Sequence, residues 1–308
     1  MPENTPPLTL AWTQKIHDGW GMKLAVHPFQ NELGTTGLDG RILLGTYDGQ
    51  GVTEKKRFDL KASITALAFS RSGRLLVAGT HRGRIIAWHY PSLEPLSEWK
   101  AHRGEITDLQ FSPGDKYLLS ASKDETAARW EIDLEGSVRS IALHGHIGWV
   151  LSLESFRYDD QDVLVTSSHD CTAILWNIQR GEPLRDFNPD EEEIVDAVWC
   201  AARQLLLTGV GEGKILAWDL DKIRPIWNID VCKYPLIALA LLIHQKKNLL
   251  LATGWDFSIH ILDLDSRCEV GITRGFGTNL IHDLKVDADE NYAFSVHTDG
   301  CLRAWHLK

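Results

Sequence analysis

Tryptophan returns in this chain at a nearly fixed interval. Trp88, Trp130, Trp176 and Trp218 lie 42, 46 and 42 residues apart; Leu262 takes the next position 44 on, and Trp305 follows 43 later. Each stands six residues after a turn-type position: Arg82, Asp124, Asp170, Glu212, Asp256 and Asp299. A period of this length marks a repeat architecture, in which one supersecondary unit is copied and stacked. Counting back, Asp48 supplies an earlier turn, with Glu54 in its tryptophan position. Seven turn positions predict seven units.

The unit itself is legible in residues 116–132, KYLLSASKDETAARWEI. Residues 117–122 and 126–132 read as short strands joined by the tight turn Lys123-Asp124-Glu125. An apolar strand precedes each such pair, at 22–26, 64–69, 106–111, 150–155, 194–199, 237–242 and 281–286. Several alternate apolar with polar, the period of a strand. A fourth strand follows each tryptophan, as at 96–100 and 182–187. Each unit is therefore four antiparallel strands, a to d, and no segment sustains a helical period. One four-stranded sheet cannot bury both faces, whereas sheets stacked about an axis can. The last unit lacks its strand d, and residues 8–15 form an orphan strand ahead of the first. The simplest solution has 8–15 completing the last sheet and closing the ring, which removes exposed edges. The expected divisions are 17–60, 61–103, 104–147, 148–191, 192–234, 235–278 and 279–308, within one domain.

Specific residues sharpen this. One unit carries Gly145-His146, Ser168, Asp170 and Trp176; the preceding one carries Ala101-His102, Ser122, Asp124 and Trp130; Trp218-Asp219 is a literal Trp-Asp dipeptide. With these residues the whole chain resembles the WD-repeat β-propeller family. The resemblance implies an all-β, seven-bladed propeller. It also implies a structural network within a blade, made here by His102, Ser122, Asp124 and Trp130, and by His146, Ser168, Asp170 and Trp176. Such a network lets a buried indole N–H, an imidazole and a carboxylate satisfy one another. The first unit offers His17, Thr46 and Asp48 without a tryptophan, and the units beginning near Leu60, Asp190, Lys233 and Gly277 lack the histidine.

Composition narrows the function. A net charge of −10 and a pI near 5.7 put a nucleic-acid-binding role last, through a local patch such as Lys55-Lys56-Arg57. The 5 cysteines (Cys171, Cys200, Cys232, Cys268, Cys301) form no CxxC pair, which predicts reduced thiols in a cytoplasmic setting, or a nuclear one in a eukaryote. The N-terminus lacks the pattern of a signal peptide, and the longest apolar run, 236–243, is too short to span a bilayer. The 13 histidines contain no HExxH, and His146 of the His144/His146 pair belongs to the repeat, so no metal is expected. Ser167-Ser168-His169-Asp170 could suggest a hydrolase. Its residues fill repeat slots, however, and no Gly-x-Ser-x-Gly elbow is present. The glycine-rich 209–213 is shaped like a phosphate loop but precedes no helix. No catalytic residue and no cofactor are expected; an enzyme using a central pocket and a nucleic-acid-binding propeller are the alternatives.

Meander geometry places the d–a loops and b–c turns on one face. In propellers of this family that face rings the mouth of a central channel and is a frequent docking site. Residues just before each turn or each strand a would line it: Trp20, Tyr47, His81, Lys123, Trp149, His169, Glu193 and Trp255. Exposed aromatics are typical interface anchors. The run Asp190-Glu191-Glu192-Glu193 would attract a basic segment. The expected role is a non-catalytic scaffold that docks a peptide or protein, the propeller itself being a monomer in a hetero-complex without membrane contact. Residues 30–40 read as a glycine-rich insertion in the first a–b loop, first as tolerated surface growth and, as the alternative, as a lid or contact element.

Overall fold

A computed structural model describes residues 8–133, 135–188, 192–222, 224–244, 247–274 and 277–307. These residues form seven four-stranded antiparallel sheets, and no helix occurs among them. In six sheets the strands follow chain order, as in blade 3: Ile106–Phe111, Leu118–Ser122, Ala127–Ile132, Val138–Leu143. The seventh is completed from the other end of the chain. Leu8–Lys15 pairs with Cys301–Leu307, outside Tyr292–His297 and Ile281–Val286. Each innermost strand contacts those of both neighbours, and blade 7 contacts blade 1, so the ring is closed.

Apolar residues from facing sheets fill each gap between blades. Leu119, Ala121 and Ala127 of blade 3 meet Val150, Leu153, Leu164 and Trp176 of blade 4. Trp176, Trp218 and Trp305 are among the largest fully buried side chains, each removing a large apolar area from water. Every a–b pair carries a register shift one residue into strand a, at Lys23, Ala66, Asp108, Ser152, Asp196, Ala238 and Asp283. A bulge bends the strand and re-aims side chains. Here the same position is re-aimed in all seven blades.

Every b–c turn also has one residue in the left-handed region: Gly40, Gly83, Glu125, Cys171, Gly213, Phe257 and Gly300, with φ from 61° to 77°. At Gly83 a Cβ would lie 2.2 Å from the His102 carbonyl oxygen, so only glycine fits.

Blade 1 differs from the expectation. Its strands are Gly21–Val26, Glu32–Gly37, Arg41–Tyr47 and Val52–Asp59. The b–c turn therefore contains Asp39, 43 residues before Arg82, and Gly45 takes the tryptophan position. The expected insertion over 30–40 is mostly strand b and its turn. Asp48 sits in the c–d turn on the opposite face, where it accepts the Gln50 and Gly51 N–H groups. Tyr47 is consequently buried away from the mouth, 4.7 Å from the Phe294 ring and hydrogen-bonded to Asp287 at 3.4 Å. In blade 6, strand a begins at Leu236, and Pro235 precedes it.

Candidate functional site

The structural network assembles in blades 3 and 4, with one change. His102 Nε2 lies 2.6 Å from Ser120 Oγ, and the Trp130 indole donates to the same oxygen at 2.8 Å. In blade 4, His146 Nε2 and the Trp176 indole share Thr166 Oγ1 at 2.7 and 2.9 Å. The bridging hydroxyl thus belongs to Ser120 and Thr166, not to Ser122 and Ser168. Strand alternation explains this: residues two apart share a face, and only the inner of the two reaches the indole. Ser122 and Ser168 instead accept the N–H of Asp124 and Asp170 at 3.1 Å.

The aspartates close the network. His102 Nδ1 lies 3.1 Å from Asp124, and His146 Nδ1 2.9 Å from Asp170. Burial opposes ionisation of both carboxyls. For Asp124, hydrogen bonds from His102 and Thr126 prevail; for Asp170, those from Thr172 and the Ile147 N–H do, and both stay well below the usual carboxylate range. Blade 1 repeats the half without tryptophan through His17, Thr35 and Asp39, in place of Thr46 and Asp48. Blades 5 and 7 keep the indole–hydroxyl half, Trp218 to Thr208 and Trp305 to Ser295. The serine–histidine–aspartate run of blade 4 makes no triad. Asp170 holds His146, whereas His169 faces Glu193 at 3.2 Å.

At the channel mouth, one backbone hydrogen bond joins each b–c turn to the d–a loop. Leu38, His81, Lys123, His169, Gly211, Trp255 and Thr298 donate to Trp20, Ser63, Glu105, Trp149, Glu193, Pro235 and Leu280 respectively. Trp20, His81, Lys123, Trp149, His169, Glu193 and Trp255 therefore lie on one face, and Leu38 replaces Tyr47. A continuous arc crosses blades 3 to 5. Glu105 pairs with Lys123 at 3.0 Å, whose ammonium lies 5.1 Å from the Trp149 ring. Trp149 then meets His169 at 5.8 Å, and His169 meets Glu193. Trp149 stays 49% exposed, Trp255 53%, and Trp20, stacked on His282, 50%. Of the acidic run, Asp190 and Glu191 lie outside the described residues, and Glu192 pairs with Lys214 at 3.2 Å.

Beneath the mouth, strand a side chains enclose a channel of about 340 Å³ lined by Lys23, Asp108, Glu154, Asp196, Asp283 and Lys285. The bulge explains four of these, Lys23 and three aspartates. Asp108, Asp196 and Asp283 sit at the re-aimed position and accept N–H groups of the next blade, from Leu153, Leu239 and Leu24, at 2.8–3.0 Å. Glu154 accepts the Trp199 N–H at 3.0 Å across the next gap, and burial pushes its carboxyl up to about 7. Nearby Asp283 raises the Lys285 ammonium, whose side chain is half exposed along the channel wall. The carboxylates are thus engaged in joining blades. Aligning the repeats by strand a would have found them, because three fall at one register.

Residues 54–89, 93–131 and 136–177 match the family described as "WD domain, G-beta repeat". The first runs from strand d of blade 1 to strand c of blade 2, so the sequence repeat is offset from the blade by one strand. These are WD repeats, and they sit in a seven-bladed propeller, the architecture of the WD-repeat proteins that the chain resembles. It is similar to the WD repeat-containing protein 91 homolog of Dictyostelium discoideum, 27% identical over 55% of this chain and 23% of that protein. It is also similar to the WD repeat-containing protein 26 homolog of Arabidopsis thaliana, 28% identical over 46% of this chain and 27% of that protein. Similarity to the Methylosome protein WDR77 of Xenopus laevis is 26% over 63% of this chain and 62% of that protein. The match spans under a third of the first two relatives' length. Propellers of this family generally serve as protein-interaction scaffolds. Among the described residues, no helix is long and apolar enough to cross a membrane.

Proposed function

We propose that this propeller is a non-catalytic docking platform that holds a peptide or protein partner on its channel-mouth face. The observation that carries the reading is the placement of its half-exposed tryptophans, Trp20, Trp149 and Trp255, on that one face. Large rigid aromatics there supply anchor area at low entropic cost. The arc from Glu105 to Glu193 surrounds Trp149 with charge of both signs, suited to a segment with an apolar anchor and a flanking basic residue. A relative described as a methylosome protein supports membership of a multi-protein assembly. The absence of any disulfide among the five cysteines supports a cytoplasmic or nuclear setting.

The central-pocket enzyme has one observation in its favour, the raised Glu154 carboxyl. Its two oxygens are already held by the Trp199 N–H and by Gln110, which favours a structural role. The lysine–arginine patch loses charge to Glu32 and Glu54, which pair with Lys55 and Arg57.

The test is the double variant Trp149→Ala/Trp255→Ala, used as bait in the native source alongside the parent chain. Loss of the co-purifying chain, with melting lowered by only a few degrees, is the expected result. Retained capture by a folded double variant overturns the mouth-face reading.

A further inference from the structure

Blade 6 occupies the positions of the clamp with different chemistry. The loop histidine of blades 3 and 4 becomes Cys232, the bridging hydroxyl becomes Ala252, and the tryptophan becomes Leu262. Asp256 is nonetheless kept, and an imidazole re-enters from strand c at His260. Blade 1 also keeps an imidazole–carboxylate pair, His17 with Asp39, in the absence of an indole; blade 6 differs by setting a thiol and a second carboxylate around its imidazole.

Donor atoms of Cys232, Asp256 and His260 all lie within 4.8 Å of one another. His260 is 2% exposed, and its Nε2 is 2.8 Å from Asp256 Oδ2. Its other ring nitrogen, Nδ1, is 2.5 Å from Glu269 Oε1. A register shift between Ile261 and Leu262 sets Glu269 opposite Leu262, beside that ring. The Cys232 N–H donates to the Gly213 carbonyl at 3.1 Å, which fixes the backbone of the loop, and the thiol itself donates to the Tyr234 carbonyl at 3.1 Å, a proton that metal binding would displace. A carboxylate on the far nitrogen of a histidine, with a thiol and a second carboxylate at the near nitrogen, is the layout of a metal ligand with its outer partner.

We propose that Cys232, Asp256 and His260 bind a zinc-class divalent cation, with Glu269 orienting the His260 ring. The mixed sulfur, nitrogen and oxygen set selects zinc over calcium or magnesium, which take oxygen ligands. Three protein ligands leave the fourth tetrahedral position to water. Cys232 and His260 are far apart in sequence and match no metal motif, so only the fold brings them together.

Cobalt(II) and zinc(II) are the probes, added to the full chain after chelator treatment. One equivalent of cobalt should give a thiolate-to-metal charge-transfer band that zinc abolishes. Cys232→Ser should remove the band. Glu269→Gln should keep it while weakening affinity by about 10–100-fold. Zinc should also protect Cys232 of the parent chain from alkylation, mapped by peptide mass, while the exposed Cys268 reacts regardless. This last measurement needs no variant to fold. Absence of a saturable one-equivalent site, a band that survives in folded Cys232→Ser, or equal alkylation of Cys232 with and without zinc each overturns the proposal.

Discussion

Buried carboxylates serve opposite ends in the clamps and in the channel. In blades 3 and 4, Asp124 and Asp170 bind partners within or at the edge of their own blade and are held ionised. In the channel, Asp108, Asp196, Asp283 and Glu154 accept N–H groups from the neighbouring blade, and burial makes Glu154 reluctant to ionise. The clamp makes a blade; the channel joins blades. The same functional group thus reports on two levels of structure, which can be perturbed separately.

The largest effect should come from emptying a clamp. Asp170→Ala leaves His146, the Thr172 hydroxyl and the Ile147 N–H without their acceptor, and is expected to cost about 3 kcal/mol or more in chemical denaturation. Next is the choice of hydroxyl. Ser120→Ala strands two buried groups, the Trp130 indole N–H and the His102 Nε2, and should cost about 2–3 kcal/mol, whereas Ser122→Ala strands one backbone N–H and should cost about 1 kcal/mol. Equal losses would mean that the bridge is misplaced.

pH separates the two regions by sign. The clamp aspartates titrate below the unfolded value near 3.8, so their contribution is present above it and fades as pH falls through the lowered folded value. Glu154 is raised from 4.5 to about 7, so its contribution is present below 4.5 and is lost as pH rises through 7. Glu154→Gln keeps an acceptor for Trp199 and should gain stability relative to the parent between about pH 5 and pH 8. A pH-independent difference would place Glu154 in an ordinary aqueous setting.

The smallest effect concerns the shared b–c turn. Glu125→Gly relieves a left-handed residue and should be neutral or stabilising by about 1 kcal/mol, while Gly83→Ala at the equivalent turn is clearly destabilising by thermal melting.

Much of this was readable from the chain. The 42–46-residue period, the strand order and the closing strand 8–15 follow from hydrophobic pattern and turn spacing alone. Blade 1 misleads because Gly45 stands where tryptophan would fix the register, and two Asp-Gly turns, at Asp39 and Asp48, compete for one slot. Tyr47 went to the wrong face with that slip. Ser120 and Ser122 are indistinguishable by type and share one face of the strand, and only their position along it separates them. The channel aspartates share one register of strand a, which a repeat alignment exposes, whereas the Cys232–His260 meeting depends on contacts distant in sequence, which no local pattern encodes.

The closing strand also has a mechanical consequence. Leu8 pairs with Leu307 and Lys15 with Cys301, so both ends of the described chain leave the ring at the same end of one ladder. Tension between them loads the Leu8–Leu307 rung first and opens the antiparallel ladder one hydrogen-bonded pair at a time, without the rungs sharing the load. A ring packed with apolar side chains at every blade gap therefore has one seam that yields like a zipper when its ends are pulled apart.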